Sequence, residues 1–253
     1  MKEKLYTIPL NDAVNANDEC PFCFIERNVE QDLLDYCIGS GSSYMEKDMR
    51  AITDEKGFCK DHFNKMFHYG NALGNAWILK THYQKTIKDM KTAFKGCKSV
   101  KLSLGEKLSK SGEMKNSVAI WADKRKCSCY ICEEFAKTYD RYMDTFFYLY
   151  KEDPAFREKL MNGKGFCITH FGDVCESSVR HLKEKEQEQF FNDMFPVMEK
   201  NMDRIYEDVS WFIEKFDYKN INADWKDSKD ALQRGMQKLK GGYPADGYYQ
   251  MKK

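Results

Sequence analysis

Two stretches of the chain decide its architecture: Gly-Phe-Cys-Lys-Asp-His-Phe at residues 57–63 and Gly-Phe-Cys-Ile-Thr-His-Phe at residues 165–171. The first follows Cys-Pro-Phe-Cys at residues 20–23, and the second follows Cys-Tyr-Ile-Cys at residues 129–132. The copies are offset by 109 residues at the CxxC motif and by 108 at the GFCxxHF motif. A single CxxC is common, but an ordered pair of motifs that recurs at the same spacing indicates internal duplication.

Each copy contains three cysteines and one histidine, a donor set typical of structural zinc sites. In both motifs the two donors are three residues apart, so a helix that begins at the first donor presents both on one face. A helix N-terminus also favours the thiolate form. We predict one zinc ion held by Cys20, Cys23, Cys59 and His62, and a second held by Cys129, Cys132, Cys167 and His170. Each ion would close a loop of 35 or 34 residues and contribute directly to the folding free energy.

Other chemistries fit the motifs less well. An iron–sulfur cluster remains an alternative, although four cysteines are its commoner ligand set. Paired disulfides do not account for a histidine in both copies, and a thioredoxin-like CxxC requires a βαβ context that is missing here. Haem attachment requires a histidine directly after CxxC, where this chain has Phe24 and Glu133.

The remaining cysteines and histidines are not predicted to bind metal. Cys37 and Cys175 are most simply core residues on helices. Cys127 is an alternative to Cys129, which we favour because it preserves the CxxC register of the first copy. Cys97 lies in a basic segment, and the histidines outside the motifs include His68, His82 and His181.

The chain is predicted to be all-α, because apolar residues recur at steps of three and four and no run alternates with period two. We expect two tandem helical repeats, each built around a Cys3His site, packed through an aromatic-rich core. The predicted segments are a first repeat at 1–94, a basic linker at 95–126, a second repeat at 127–218, and a polar tail at 219–253 with one amphipathic helix. The linker carries nine Lys or Arg against three Asp or Glu, as a solvated loop does, although contact with an acidic partner stays open.

Composition limits the partners and the compartment. The formal net charge of +1 gives no general attraction to nucleic acid or to an anionic membrane. The first 14 residues have no apolar core of signal-peptide length, and no run approaches the ~18 apolar residues of a membrane span. We therefore expect a cytoplasmic protein, in which ten cysteines stay reduced and need a role other than disulfide formation.

The paired motifs CPFC with GFCKDH and CYIC with GFCITH resemble an uncharacterised bacterial family, a domain of unknown function of the Firmicutes type. The opening Ile8-Pro9-Leu10 and the late Lys229-Asp230-Ala231 also resemble it. The resemblance implies a helical fold with duplicated CPxC and GFCxxH motifs and brings no activity. The second CxxC departs from it, since Tyr130 replaces the proline.

Four protein ligands on each ion leave no open position for substrate, which favours a binding or adaptor module over an enzyme. Its partner would be a protein or a hydrophobic ligand between the repeats, where the aromatic run from Tyr139 to Tyr150 could form either a pocket or simply core. A redox or metal-responsive sensor is the first alternative, since loss of metal would unfold a site. An enzyme with an unrecognised pocket is the second, although no known catalytic motif is present.

Overall fold

The computed structural model describes residues 5–41, 44, 46–99, 116–247 and 249–250. Within these residues the secondary structure is helical and includes no strand, which confirms the predicted all-α class. The helices are α1 (Thr7–Asn15), α2 (Pro21–Ile38), α3 (Lys47–Lys56), α4 (Lys60–Tyr69), α5 (Ala72–Lys95), α6 (Ser117–Lys126), α7 (Tyr130–Glu152), α8 (Pro154–Asn162), α9 (Ile168–His181), α10 (Glu184–Glu214) and α11 (Ala231–Lys240), with a 3₁₀ turn at Tyr218–Asn220.

The chain divides into two compact units that interleave along the sequence. Unit 1 comprises residues 1–29 and 137–247, and unit 2 comprises residues 30–136 and 248–253. The predicted segments at 1–94, 95–126, 127–218 and 219–253 concern sequence duplication and remain a prediction. Within the predicted linker, Ser117–Lys126 forms helix α6, whose first turn is capped by the side chain of Asn116, and residues 100–115 lie outside the described part.

The core of unit 1 is aromatic, as expected. Its largest buried side chains meet mostly edge to face, an arrangement that the ring quadrupoles favour: Phe22, Phe146, Phe147, Phe156, Phe166 and Phe190. Tyr142, Leu149 and Tyr150 of α7 are buried in the same unit. Most apolar side chains of the run from Tyr139 to Tyr150 therefore lie in this core, and Tyr139, Asp140 and Met143 also line a cavity of about 240 Å³.

The core of unit 2 mixes aliphatic, sulfur and aromatic side chains. Leu34, Cys37 and Ile38 from α2 pack with Met66 and Ile78. The apolar residues of α5 are only partly buried: Tyr83 is 62% exposed and Phe94 53%, whereas Ile78 is 1% exposed. None of the helices in the described ranges is both long and apolar enough to cross a bilayer.

Candidate metal centres

All four cysteine motifs lie at the start of a helix, in the same position. The first cysteine of each motif directly precedes the helix, and its carbonyl accepts the first helical hydrogen bond, from Phe24, Phe63, Glu133 and Phe171 respectively. The second donor of each motif is the third residue of that helix. Each pair therefore faces the positive end of a helix dipole, which stabilises thiolates. The prediction that every motif opens a helix is confirmed.

The structure brings the eight predicted donors together in two groups, but it pairs the motifs differently from the prediction. We call them site A (Cys20, Cys23, Cys167 and His170) and site B (Cys59, His62, Cys129 and Cys132). In each group the four donor atoms lie within 4.8 Å of one another. Each site thus combines the CxxC of one sequence copy with the CxxH of the other, and the expected sites within single copies are wrong. Cys129, rather than Cys127, belongs to site B.

The distances within each group match the edges of a tetrahedron around one ion. Zinc–sulfur bonds of 2.3 Å and zinc–nitrogen bonds of about 2.0 Å give S–S edges of about 3.8 Å and S–N edges of about 3.5 Å. In site A, Cys23 Sγ lies 3.8 Å from Cys167 Sγ, and the three sulfurs lie 3.2–3.5 Å from His170 Nδ1. In site B the corresponding distances are 3.9 Å, from Cys59 Sγ to Cys132 Sγ, and 3.2–3.4 Å to His62 Nδ1. All ten cysteines are free, so each site could hold a metal ion.

Aromatic packing explains the crossed pairing. Phe22, inside the first CxxC, packs 6.1 Å from Phe166, which directly precedes Cys167. Tyr130, inside the second CxxC, packs 6.5 Å from Phe58, and its backbone N–H donates to Gly57 O at 2.9 Å. Contacts made by the residues between the cysteines therefore favour this pairing, whereas the donor spacing alone allows either pairing.

Glycine is required at the entry to each CxxH helix. Gly57 and Gly165 have φ of 64° and 71°, values that side chains with a Cβ rarely adopt. A Cβ at Gly165 would also lie 2.9 Å from Met198 Sδ, so that neighbour would have to move. The GFC motif thus encodes a left-handed turn and a buried ring directly before the donor cysteine.

Each donor histidine has a carboxylate on its second nitrogen, a contact that the motif spacing does not predict. His170 Nε2 lies 3.1 Å from Glu26, and His62 Nε2 lies 2.9 Å from Glu30. Such carboxylates fix the ring and direct its other nitrogen to the metal. The sequence does contain an indication of these contacts. Glu26 and Glu30 lie four residues apart on the helix that begins at CPFC, and therefore on one face of it. Glu30 also accepts hydrogen bonds from Lys65 and Tyr249, each at 2.5 Å.

The charges in both sites call for a cation. Burial opposes protonation of His170, but contacts with Cys167, Cys23 and Glu26 raise its pKa to about 12. Burial likewise opposes protonation of His62, yet Cys129 and Glu30 raise its pKa to about 10. The sulfurs and the carboxylate thus favour a positive charge on each histidine, and a divalent cation bound at Nδ1 would replace that proton.

Site A is closed to solvent. Its three cysteines are 0% exposed and His170 is 3% exposed. Gly241, which ends α11 with φ of 81°, covers the sulfurs: a Cβ there would lie 3.5 Å from Cys167 Sγ and 3.7 Å from Cys23 Sγ. A Cβ would make ordinary van der Waals contact with both sulfurs, so it is the left-handed φ that favours glycine at this position.

A buried ion network holds α11 over site A. Lys238, 1% exposed, donates to the backbone carbonyls of Glu19 at 2.7 Å and Lys164 at 2.5 Å. The Glu19 side chain, 2% exposed, accepts from Arg204 at 2.5 Å, and Arg234 lies 3.8 Å away. Burial raises the pKa of Glu19, but Arg204 and Lys238 outweigh it and hold the pKa below its usual value. The carboxylate is therefore ionised beside Cys20.

Site B is open on one side. Cys129 and His62 are 3% and 8% exposed, but Cys59 is only half-buried and Cys132 is exposed. The two sites thus have the same donors in different environments.

The cysteines outside the two sites should be dispensable for metal binding. Burial raises the pKa of Cys37 to about 12 and also raises that of Cys175, so both stay protonated thiols, and Cys97 is exposed beside Asn116. We expect Cys37→Ala, Cys97→Ser and Cys175→Ser each to retain every metal ion in native mass spectrometry. Cys37→Ala should lower the free energy of unfolding by about 1 kcal/mol through lost packing. An ion lost in Cys97→Ser would show that the donor sets are wrongly drawn.

The family model described as "Family of unknown function (DUF6062)" matches residues 1–246, and the chain belongs to this family. No curated protein and no solved structure matches the chain.

Proposed function

We propose that this member of the DUF6062 family is a non-catalytic binding module in which one structural zinc ion holds each of two helical units. The observation that carries the proposal is that four protein donors meet at tetrahedral spacing in each site. A catalytic zinc ion keeps a position open for water, and four protein ligands leave none. A single ion accounts for all four donors, whereas the ligands of an iron–sulfur cluster are spread over several irons.

The metal ions stabilise the folded state. Site A joins residues 144 positions apart in the sequence, and site B joins residues 67 apart. Closing such loops costs entropy, which the metal–ligand bonds offset. The proposal includes a cytoplasmic location, because thiolate ligands require a reducing compartment. Its proposed partner is a protein or a hydrophobic ligand, and the protein is favoured because most of the run from Tyr139 to Tyr150 is buried in the core.

We expect the purified protein to carry two zinc ions per chain in native mass spectrometry. Acid should release both, because protonated thiols and imidazoles do not bind metal. The cobalt-substituted protein should give the absorption spectrum of four-coordinate cobalt with three sulfur ligands. A metal-replete sample with fewer than two ions would contradict the two-site proposal. A water ligand that exchanges with added azide would favour an enzyme.

The exposed Cys132 favours a second candidate function, a redox-responsive module in which loss of metal from site B changes partner binding. Susceptibility to oxidation follows thiolate character and exposure. This candidate keeps site A as a permanent structural centre and makes site B the responsive one.

A further inference from the structure

Sites A and B have the same set of donors but differ in how accessible their cysteines are to solvent. Both place three cysteines and one histidine at helix N-termini. In site A all three sulfurs are shielded and Gly241 covers Cys23 and Cys167. In site B, Cys132 is an exposed residue. A reagent in solution therefore meets a metal-site sulfur at site B first.

The geometry of site B provides a second thiol for the same reaction. Cys59 is half-buried, and its sulfur lies 3.9 Å from that of Cys132. A disulfide requires about 2.05 Å, so the two atoms must approach by about 2 Å. They belong to the starts of different helices, α4 and α7. The third cysteine of the site, Cys129, is 3% exposed, so it is more deeply buried than Cys59.

We propose that Cys132 is a modification site for hydroperoxides and that Cys59 resolves the modified residue as a Cys59–Cys132 disulfide, releasing the metal of site B. The proposal rests on the proposed function for the occupancy of site B, but the choice of thiols rests on geometry alone. Site A keeps its metal under the same conditions.

The reaction balances in two steps. The thiolate sulfur of Cys132 attacks one peroxide oxygen, the O–O bond breaks, and the departing oxygen takes a proton to leave as water or an alcohol. Cys132 is then a sulfenic acid. The thiolate of Cys59 attacks that sulfur, the S–S bond forms, the S–O bond breaks, and hydroxide takes a proton to leave as water. Two thiolates are oxidised, one hydroperoxide is reduced, and a thiol reductant reverses the modification.

The test uses the full chain with its metal content measured first, treated with equimolar hydrogen peroxide. We expect one zinc ion to appear on a chromogenic chelator at least about tenfold faster than the second. Peptide mapping should find Cys59 linked to Cys132, while the cysteines of site A stay reduced. Dithiothreitol with added zinc should restore the second ion. Release of both ions together, or earlier oxidation of Cys20, Cys23 or Cys167, would overturn the proposal.

Variants distinguish the proposed role of Cys132, which reacts with the peroxide, from that of Cys59, which forms the disulfide. Cys59→Ser should leave sulfenic acid on Cys132, detected as a dimedone adduct, and Cys132→Ser should abolish the adduct. Cys127→Ser is the matched control, since Cys127 is also exposed but lies outside site B, and it should behave as wild type. A disulfide from Cys132 to Cys129 or Cys127 would overturn the role of Cys59. If the protein holds fewer than two ions at the start, the proposed function fails, yet faster alkylation of Cys132 than of any site A cysteine still tests the choice of thiol.

Discussion

Replacing His170 with alanine is expected to release one of two metal ions and to expose Cys20, Cys23 and Cys167 to alkylation. Cys59, Cys129 and Cys132 should stay protected by the other ion. The reason is the crossed pairing, in which His170 Nδ1 lies 3.4 Å from Cys20 Sγ and 3.5 Å from Cys23 Sγ. Alkylation followed by peptide mass spectrometry measures this outcome directly.

The effect on stability should be large, because site A joins the starts of α2 and α9 inside the buried aromatic core of unit 1. Structural zinc contributes on the order of 10 kcal/mol to folding in small domains. Loss of even half of this would lower the melting temperature by about 10–20 °C, since each kcal/mol shifts it by about 2–4 °C at this chain length. Circular dichroism during heating provides the measurement.

Two further variants make the result decisive. His62→Ala should give the reverse pattern, with Cys59, Cys129 and Cys132 alkylated and site A protected. His68→Ala should retain both ions, because His68 is exposed and belongs to neither site. If His170→Ala instead exposed Cys129 and Cys132, the sites would lie within single sequence copies and the crossed pairing would be wrong.

The sequence predicted the donors and the helix starts because both depend on local chemistry. A cysteine followed three residues later by cysteine or histidine fits one helical turn, and the glycine before Cys59 or Cys167 permits the entry turn. The pairing depends on contacts between segments far apart in the chain. Phe22 with Phe166 and Tyr130 with Phe58 decide it, and nothing in the spacing of the motifs encodes these contacts.

Helix α11 shows why amphipathic patterns alone could not complete the site. Its pattern predicts an apolar face of Ala231, Leu232, Met236 and Leu239. Ala231 is fully buried, but the other three are 43%, 56% and 53% exposed. Beside Ala231, the buried face carries Arg234, Gln237 and Lys238. A polar face can be buried only where partners satisfy it, and those partners come from distant segments.

Replacing Glu19 with glutamine is expected to lower the free energy of unfolding by about 3–5 kcal/mol, the usual cost of leaving a buried charge without its partner. The variant keeps the shape of the side chain but removes the negative charge that Lys238, Arg204 and Arg234 face. Burial already lowers the pKa of Lys238, so its ammonium depends on nearby negative charge and carbonyl oxygens. The melting temperature should fall by about 6–20 °C.

The same change should loosen site A, because the network holds the helix whose terminal Gly241 covers Cys23 and Cys167. Faster release of one zinc ion to a chelator would measure this. Glu199→Gln is the matched control on an exposed position of α10, and it should change neither the stability nor the rate of zinc release.

A double variant, Glu19→Gln with Lys238→Met, separates the effect of the unpaired charge from that of the lost contacts. If the cost is an uncompensated ammonium, the double variant should recover about 1–3 kcal/mol relative to the sum of the single changes. Strict additivity, or a Glu19→Gln protein as stable as its control, would mean that the buried charges do not hold α11 in place.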